Sequence, residues 1–455
     1  MTGTLVVGLG VTGRAVSRFL AGAGERVIVA EDDPTPEIRK EAAGLGIQLV
    51  ESPDAAELAS LLRRVDQVVP SPGVPVDHPV YRLAEGAGVA VRSEIELGWQ
   101  RLRGRGDRAP ELVAITGTNG KTTVTTLVTD MLARSGRSAV AAGNIGTPLV
   151  EAAGAEADVV VAEVSSFQLQ FTEGFHPAVA TWLNLADDHL DWHPSLDHYA
   201  RAKARVWAAQ VAGDVAVLNA DDPVVMAAAG EDGRGVPDGV RRLTFSTTGP
   251  ADYSVVDGAL AGPGRSPILA VRELARSFPH DLANALAASA TAQAAGASIE
   301  GCRAALASFS TLPHRLERIG EAGGVQWYDD SKATTPASVL AAVAGFGSVV
   351  LIAGGRNKGL DLAVLGRAVP PVKAVVAIGE AAGEVEAAFA GLAPVTVAGG
   401  MEAAVAAAGR LAAKGDVVLL SPGCASFDQY PGYAARGEHF TALVRRRLGQ
   451  SGAGR

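Results

Sequence analysis

The chain has 455 residues, with 40 Lys plus Arg against 49 Asp plus Glu and a formal net charge of −9. That balance excludes a nucleic-acid binder working by bulk positive charge, and an apolar content of 48% excludes wholesale disorder. At ~150 residues per domain, the length fits about three domains.

The N-terminal region alternates β-branched runs with Ala-rich helical ones. Thr4–Gly8 reads as a strand, Gly13–Ala23 as a helix, and Arg26–Ala30 and Gln67–Val69 as strands. This βαβ rhythm implies a parallel sheet. Arg101–Pro110, with four Arg, two Gly, one Asp and one Pro, reads as a linker. Leu112–Ile115 opens a second region, with Asp158–Glu163 and Val215–Asn219 as further strands and Leu282–Ala295 as a long helix. A turn near Ser310–Pro313 marks the second boundary. The βα rhythm then returns, with strands at Val349–Ala353, Ala374–Ile378, Pro394–Ala398 and Asp416–Leu420. Domains are expected over 1–108, 109–311 and 312–455. The longest uncharged run, Ala333–Gly355, is divided by Pro336 and a Gly-Phe-Gly-Ser break, so it reads as helix, turn and strand rather than a membrane span. No basic leader or cleavage site opens the chain, and a cytoplasmic protein is expected.

Gly8-Leu9-Gly10-Val11-Thr12-Gly13 lies between a strand and a helix, with Glu31-Asp32-Asp33 about 20 residues on. Read alone, it points to NAD or FAD, while a structural tight turn or another nucleotide stays open. Thr116-Gly117-Thr118-Asn119-Gly120-Lys121-Thr122-Thr123 is sharper. It joins the strand Leu112–Ile115 to a helix expected over Val124–Arg134. Backbone N–H groups there can wrap ATP phosphates, Lys121 can reach the β and γ phosphates, and the Thr122 hydroxyl can ligate Mg²⁺. The generic spacing would want Gly at position 115, where Ile stands. Glu163, closing a neighbouring strand, and the segment Asp187–His193 are the acidic candidates for the metal. A zinc site on His189 and His193 is disfavoured because a hard ATP-borne cation prefers oxygens. His193 and His198 read as surface residues, and His189, among acidic neighbours, as functional.

The basic residues divide into 33 Arg and only 7 Lys. A coding bias explains the ratio, yet each remaining Lys invites a check for amine chemistry. Read alone, Lys203 is a solvated helix residue. It stands out because Arg201 and Arg205 flank it. Lys332 and Lys358 fall in loops at the carboxyl ends of strands. Lys40, Lys373 and Lys414 read as surface. Cys302 and Cys424 cannot build a disulfide framework or a cysteine-based zinc site, and Cys424 reads as a small buried residue. Ser-Pro-Gly follows a strand twice, at Ser71–Gly73 and Ser421–Gly423, a faint hint of similar sheets.

Thr116–Thr123, Gly143-Asn144-Ile145-Gly146, Glu163–Leu169, Asp188-His189-Leu190-Asp191, His314-Arg315, Asp330–Thr334 and Ser421–Gln429 together resemble the Mur ligases. These are ATP-dependent amide-forming enzymes of peptidoglycan precursor synthesis, and the resemblance runs from about Leu5 to Arg446. The third-region segments look like members that add D-glutamate to UDP-N-acetylmuramoyl-L-alanine. The resemblance implies an α/β chain of three domains: Rossmann-like N-terminal, P-loop-type central ATPase, and Rossmann-like C-terminal. It turns the first glycine motif from NAD to UDP. Val11, Thr12, Gly13, Ser71 and Asn144 would hold the UDP-sugar. Gly117 to Thr123, Asn284, Arg315 and Asp330 would hold ATP. Lys332, Thr334, Lys358, Ser426 and Phe427 would hold D-glutamate, with Tyr433 nearby. Lys121, Glu163, His189 and Lys203 would be catalytic. Thr122, Glu163, His189 and Lys203 would hold two Mg²⁺ ions, Lys203 as a carbamate made with CO₂. Asp281 stands where the family often has Asn, so Asn284 is the firmer adenine-side residue. The acidic balance and the broken apolar run lead to the expectation of no nucleic-acid and no membrane partner, and a monomer is expected. The alternatives are a Mur-type ligase adding L-glutamate or another amino acid, a P-loop ATPase or binding module without ligase activity, and a dehydrogenase.

Overall fold

In the computed structural model, which describes residues 3–189, 192–231 and 233–452, three separate sheets follow one another along the chain. Leu190 and Asp191 of the Asp-His-Leu-Asp segment lie outside the described residues. The first sheet comprises β1 (Gly3–Val7), β2 (Arg26–Glu31), β3 (Gln48–Glu51), β4 (Gln67–Pro70) and β5 (Ala90–Val91). All its pairings are parallel, in the order β3-β2-β1-β4-β5. The strand order reverses between β1 and β4. In open α/β sheets, ligands bind beyond the carboxyl ends of strands at such a point.

The second sheet has nine strands: β6 (Glu111–Thr116), β7 (Ala139–Gly143), β8 (Val159–Glu163), β9 (Val179–Trp182), β10 (Val215–Asn219), β11 (Arg241–Ser246), β12 (Tyr253–Val256), β13 (Ala259–Gly262) and β14 (Ser266–Ala270). Their order is β14-β13-β12-β11-β10-β9-β6-β8-β7. Strands β6 to β12 pair in parallel, and β12, β13 and β14 form an antiparallel meander at one edge. The Val-rich β8 is buried at every residue, as expected for a strand covered on both faces. The third sheet holds β15 (Glu317–Ala322), β16 (Val325–Asp329), β17 (Val349–Gly354), β18 (Val372–Ile378), β19 (Val395–Val397) and β20 (Val417–Leu420), in the order β15-β16-β20-β17-β18-β19. Only β15 runs antiparallel.

Two compact units emerge. The first contains the first two sheets, over Met1–Leu185, Trp192–Leu274 and Leu282–Ser308. The second contains the third sheet, with Ala186–Asp191, Ala275–Asp281 and Phe309–Arg455. No helix among the described residues is long and apolar enough to cross a membrane.

The structure corrects several expectations. Arg101–Pro110 is not free linker: the helix Glu94–Arg103 runs into it and a 3-10 turn follows at Gly106–Arg108. Arg101 Nη1 donates to the Val150 carbonyl at 2.8 Å, and Arg105 Nη1 donates to those of Ala153 and Ala155 at 2.9 and 2.8 Å. Arginines that resemble solvated linker composition are clamps between the first two sheets. Three helices also begin two or three residues early, at Val11, Lys121 and Pro279. Lys121 begins its helix because Gly120, at φ +85°, ends the preceding loop in one step. Pro279 suits a first helical position, where its missing N–H costs nothing.

Candidate active site

Strand β6 delivers the Gly117–Gly120 loop, and the helix Lys121–Arg134 takes the chain away. Ile115 is fully buried within β6 and in register with Glu163 of β8. The position therefore belongs to the sheet, which accounts for Ile where a longer glycine loop would begin. Gly117 and Gly120 both have positive φ, and a Cβ on Gly120 would lie 2.4 Å from Asn284 Oδ1. Asn284 therefore stands directly beside the loop. Asn184, which the sequence reading passed over, accepts from the N–H groups of Thr118 and Asn119 at 3.1 and 2.9 Å. Its own amide donates to Asn119 O at 3.1 Å. Lys121 Nζ donates to the carbonyls of Gly117 and Thr118, both at 2.9 Å. Thr122 and Thr123 occupy the first turn of the helix, whose N–H groups and dipole favour an anion.

Glu163 ends β8 next to this loop and is 2% exposed. Oε1 accepts from Asn144 Nδ2 at 2.9 Å, while Oε2 is buried with no hydrogen-bond partner among the described residues. A buried carboxylate oxygen left this way is costly unless a cation meets it. A hard divalent ion fits that oxygen. Ser165 and Gln168 form a reciprocal capping box that starts the helix Ser166–Gln170 right after Glu163.

Lys203 overturns the solvated reading. It is 1% exposed, donates to Gly117 O at 2.8 Å, and sits 4.6 Å from the centre of the Tyr199 ring. His193 overturns the surface reading. It is fully buried, with Nε2 2.8 Å from Ser166 Oγ and Nδ1 2.9 Å from His198 Nδ1, and it stacks on Phe167. His198 is half-buried. His189 lies in the second unit at φ +55°, its Nε2 3.3 Å from Asp188 Oδ2.

At the carboxyl ends of β1 and β4, Val11, Thr12 and Ser71 line a cavity of about 430 Å³ together with Glu31 and Asp32. Gly13 does not line it. It permits a close approach, since a Cβ there would lie 2.0 Å from Gly8 O. Ser71 Oγ donates to that same carbonyl at 2.7 Å, and Glu31 Oε2 accepts from Leu9 N–H at 2.6 Å. Asn144 is not among the residues lining this cavity but is held on Glu163.

The second unit gathers the remaining candidates at the carboxyl ends of β16, β17 and β20. Asp330 is buried; it accepts from Ser421 Oγ at 2.8 Å and from Leu316 N–H at 3.2 Å. Burial pushes its carboxyl up to about 7. Lys332 Nζ sits 5.3 Å from the Tyr433 ring centre, whereas Phe427 is 64% exposed. Thr334 is half-buried and Ser426 buried. Lys358 Nζ meets Asp188 Oδ1 at 3.1 Å. Arg436, unmarked by any sequence motif, is 1% exposed and donates to Ser331 O and Oγ and to the carbonyls of Cys424 and Ala425. It pins the loops after β16 and β20 together. Cys424 is buried as expected, and burial pushes its thiol up to about 12.

His314, Glu317 and Asp329 also converge. Asp329 Oδ2 lies 2.6 Å from His314 Nδ1, Asp329 Oδ1 accepts from Ser331 N–H, and Glu317 Oε2 accepts from His314 N–H. These contacts make the trio a set of loop fasteners.

Family models for the Mur ligase MurD-like N-terminal domain, the Mur ligase middle domain and the Mur ligase glutamate ligase domain match residues 2–93, 115–261 and 314–424. The UDP-N-acetylmuramoylalanine–D-glutamate ligase of Frankia casuarinae is 44% identical, over 98% of this chain and 94% of that protein. The ligase of the same name from Syntrophus aciditrophicus is 40% identical, over 97% of each. Among solved structures, MurF from Acinetobacter baumannii matches with a TM-score of 0.62 at 17% identity, over 98% of this chain and 90% of that one. MurC from Thermotoga maritima matches at 0.58 and 19%, over 98% and 100%. At those identities the structures speak for the fold alone. The two sequence relatives, close over nearly the whole length, and the three domain models laid end to end decide the matter: the chain belongs to the Mur ligase family.

Proposed function

We propose that the chain is an ATP-dependent amide-forming ligase that adds D-glutamate to UDP-N-acetylmuramoyl-L-alanine in cytoplasmic peptidoglycan precursor synthesis. One observation carries this reading. The Gly117–Gly120 loop meets both a buried lysine, Lys203, and a neighbouring strand that ends in Glu163 with one unpartnered carboxylate oxygen. A phosphate-binding loop with those neighbours, in a chain whose relatives are named as UDP-N-acetylmuramoylalanine–D-glutamate ligases, supports a carboxylate-activating ligase.

The domains take one ligand each: 1–108 the UDP-sugar, 109–311 ATP, and 312–455 the amino acid. A carboxylate is a poor electrophile. The alanyl carboxylate oxygen attacks the γ-phosphorus of ATP, the bond to ADP breaks, and an acyl phosphate forms. The amine of D-glutamate then attacks the acyl carbon, phosphate leaves with the bonding pair, and the amine loses a proton. Lys121 and the loop N–H groups hold the phosphate oxygens as charge builds on them. Asn284, Arg315 and Asp330 orient the nucleotide. Val11, Thr12 and Ser71 hold the uridine diphosphate, with Gly13 shaping the turn. Lys332, Thr334, Lys358, Ser426 and Phe427 hold the glutamate, the lysines meeting its two carboxylates, with Tyr433 nearby. Two Mg²⁺ ions, held by Thr122, Glu163, His189 and Lys203 as its CO₂-derived carbamate, would supply charge neutralisation on the phosphates. The protein works as a monomer.

Mass spectrometry of the product from ATP, UDP-N-acetylmuramoyl-L-alanine and D-glutamate tests the reading. The expected product carries one added glutamyl residue. ATP consumption without it would support an ATPase lacking ligase activity.

A further inference from the structure

Arg315 sits in an unusual turn of the second unit. The residues on either side of it, His314 and Leu316, have φ of +60° and +48°, a region that non-glycine residues seldom occupy. Such a backbone persists only when its surroundings over-determine it. Here each backbone polar group of the turn is engaged. His314 N–H donates to Glu317 Oε2 at 3.2 Å, Arg315 N–H to Leu312 O at 3.2 Å, and Leu316 N–H to Asp330 Oδ1 at 3.2 Å. His314 O accepts from Lys332 N–H at 3.1 Å. The carbonyls of Arg315 and Leu316 both accept from one guanidinium nitrogen, Arg276 Nη1, at 3.3 and 2.9 Å.

Arg276 comes from a distant part of the chain and is itself held. Its Nε and Nη2 donate to the two carboxylate oxygens of Asp281 at 2.6 and 2.7 Å. Asp281 is fixed in turn by accepting from Phe278 N–H at 3.2 Å. An Asn at position 281 would offer one oxygen and a competing donor, so it could not complete this two-pronged pair.

We propose that Arg276, oriented by Asp281, is a positioning residue for ATP use, holding the left-handed turn that presents Arg315. This rests on the reading above that Arg315 meets ATP. It also assigns Asp281 a role as the anchor of the clamp rather than a nucleotide contact.

The test is steady-state phosphate release by the full chain, with ATP varied at saturating UDP-N-acetylmuramoyl-L-alanine and D-glutamate. Arg276→Ala is expected to raise KM for ATP by about tenfold, with KM for the UDP-sugar changed less than about twofold. Asp281→Asn, the milder variant, is expected to shift KM for ATP in the same direction by about threefold. Adding Arg276→Ala to Arg315→Ala should cost no more than Arg315→Ala alone, because one residue acts through the other. If Arg315→Ala leaves KM for ATP unchanged, the reading of Arg315 fails. If Arg315→Ala raises KM but Arg276→Ala does not, or adds its full effect in the double variant, the clamp is only structural and the proposal is overturned.

Discussion

Lysine is scarce in this chain, and the structure gives that scarcity a spatial meaning. Lys203 is buried against Gly117 O although its sequence neighbours look solvated, whereas Lys40, Lys373 and Lys414 are exposed. Only an amine at position 203 could form a carbamate, since a guanidinium stays protonated. Lys203→Ala should abolish turnover, and a small carboxylate such as acetate should restore part of it. Full activity in Lys203→Ala would remove the carbamate role. Glu163→Gln should lower kcat by about a hundredfold or more, because the amide keeps the shape but not the charge at the unpartnered oxygen. Near-native kcat in that variant would remove Glu163 from the metal set. At this scale sequence reading succeeded where chemistry lies in a short run, as in Thr116–Thr123. It failed for His193, whose burial depends on Ser166 and Phe167 arriving from an earlier stretch of the chain. It also passed over Arg276, Arg436 and Asn184, since a lone side chain binding backbone carbonyls or N–H groups leaves no spacing to read.

Among the elements, the helix Glu94–Arg103 does the most to couple the first two sheets. Glu94 is buried and accepts from Val150 N–H at 2.6 Å, while Glu96 accepts from the N–H groups of Glu173 and Gly174. A Cβ on Gly98 would lie 2.7 Å from Leu149 Cγ and 2.9 Å from Val150 N, so the helix approaches the Leu149–Ala152 helix with no room for a side chain. Gly98→Ala should therefore destabilise the fold by about 1–3 kcal/mol, measured by chemical denaturation. An unchanged midpoint would show that the contact yields freely. Burial pushes the Glu94 carboxyl up to about 7, against ~4.3 in an unfolded chain. The folded protein thus holds the extra proton between those values. The stability this gives below pH ~4 is lost as pH rises through about 7. Glu94→Gln should gain in Tm relative to the wild type between pH 5 and pH 8, roughly in step with that titration. A constant difference across that range would contradict the linkage. The sequence suggested a linker in this region because arginine-rich composition looks the same whether the side chains are solvated or hold carbonyls.

For the molecule as a whole, three sheets were legible because parallel strands are buried on both faces and read as Val-rich runs. Their order was not legible, since pairing is set by contacts far apart in sequence. The Ser-Pro-Gly echo proved a local device shared by two sheets. Ser71 ties β4's loop to Gly8 after β1, and Ser421 ties β20's loop to Asp330 after β16. These two sheets differ around it, since the third carries an antiparallel edge strand and the first is parallel throughout. Each sheet nevertheless presents candidate residues at carboxyl strand ends, so the ligand proposed for each domain follows one architectural rule. Together these sites are proposed to serve a single ligation. Phosphate release from ATP should be measured with UDP-N-acetylmuramoyl-L-alanine and, in turn, D-glutamate, L-glutamate, L-alanine and a diamino acid. Release is expected only when both the UDP-sugar and D-glutamate are present. Release with another amino acid in place of D-glutamate, or release independent of either substrate, would contradict it.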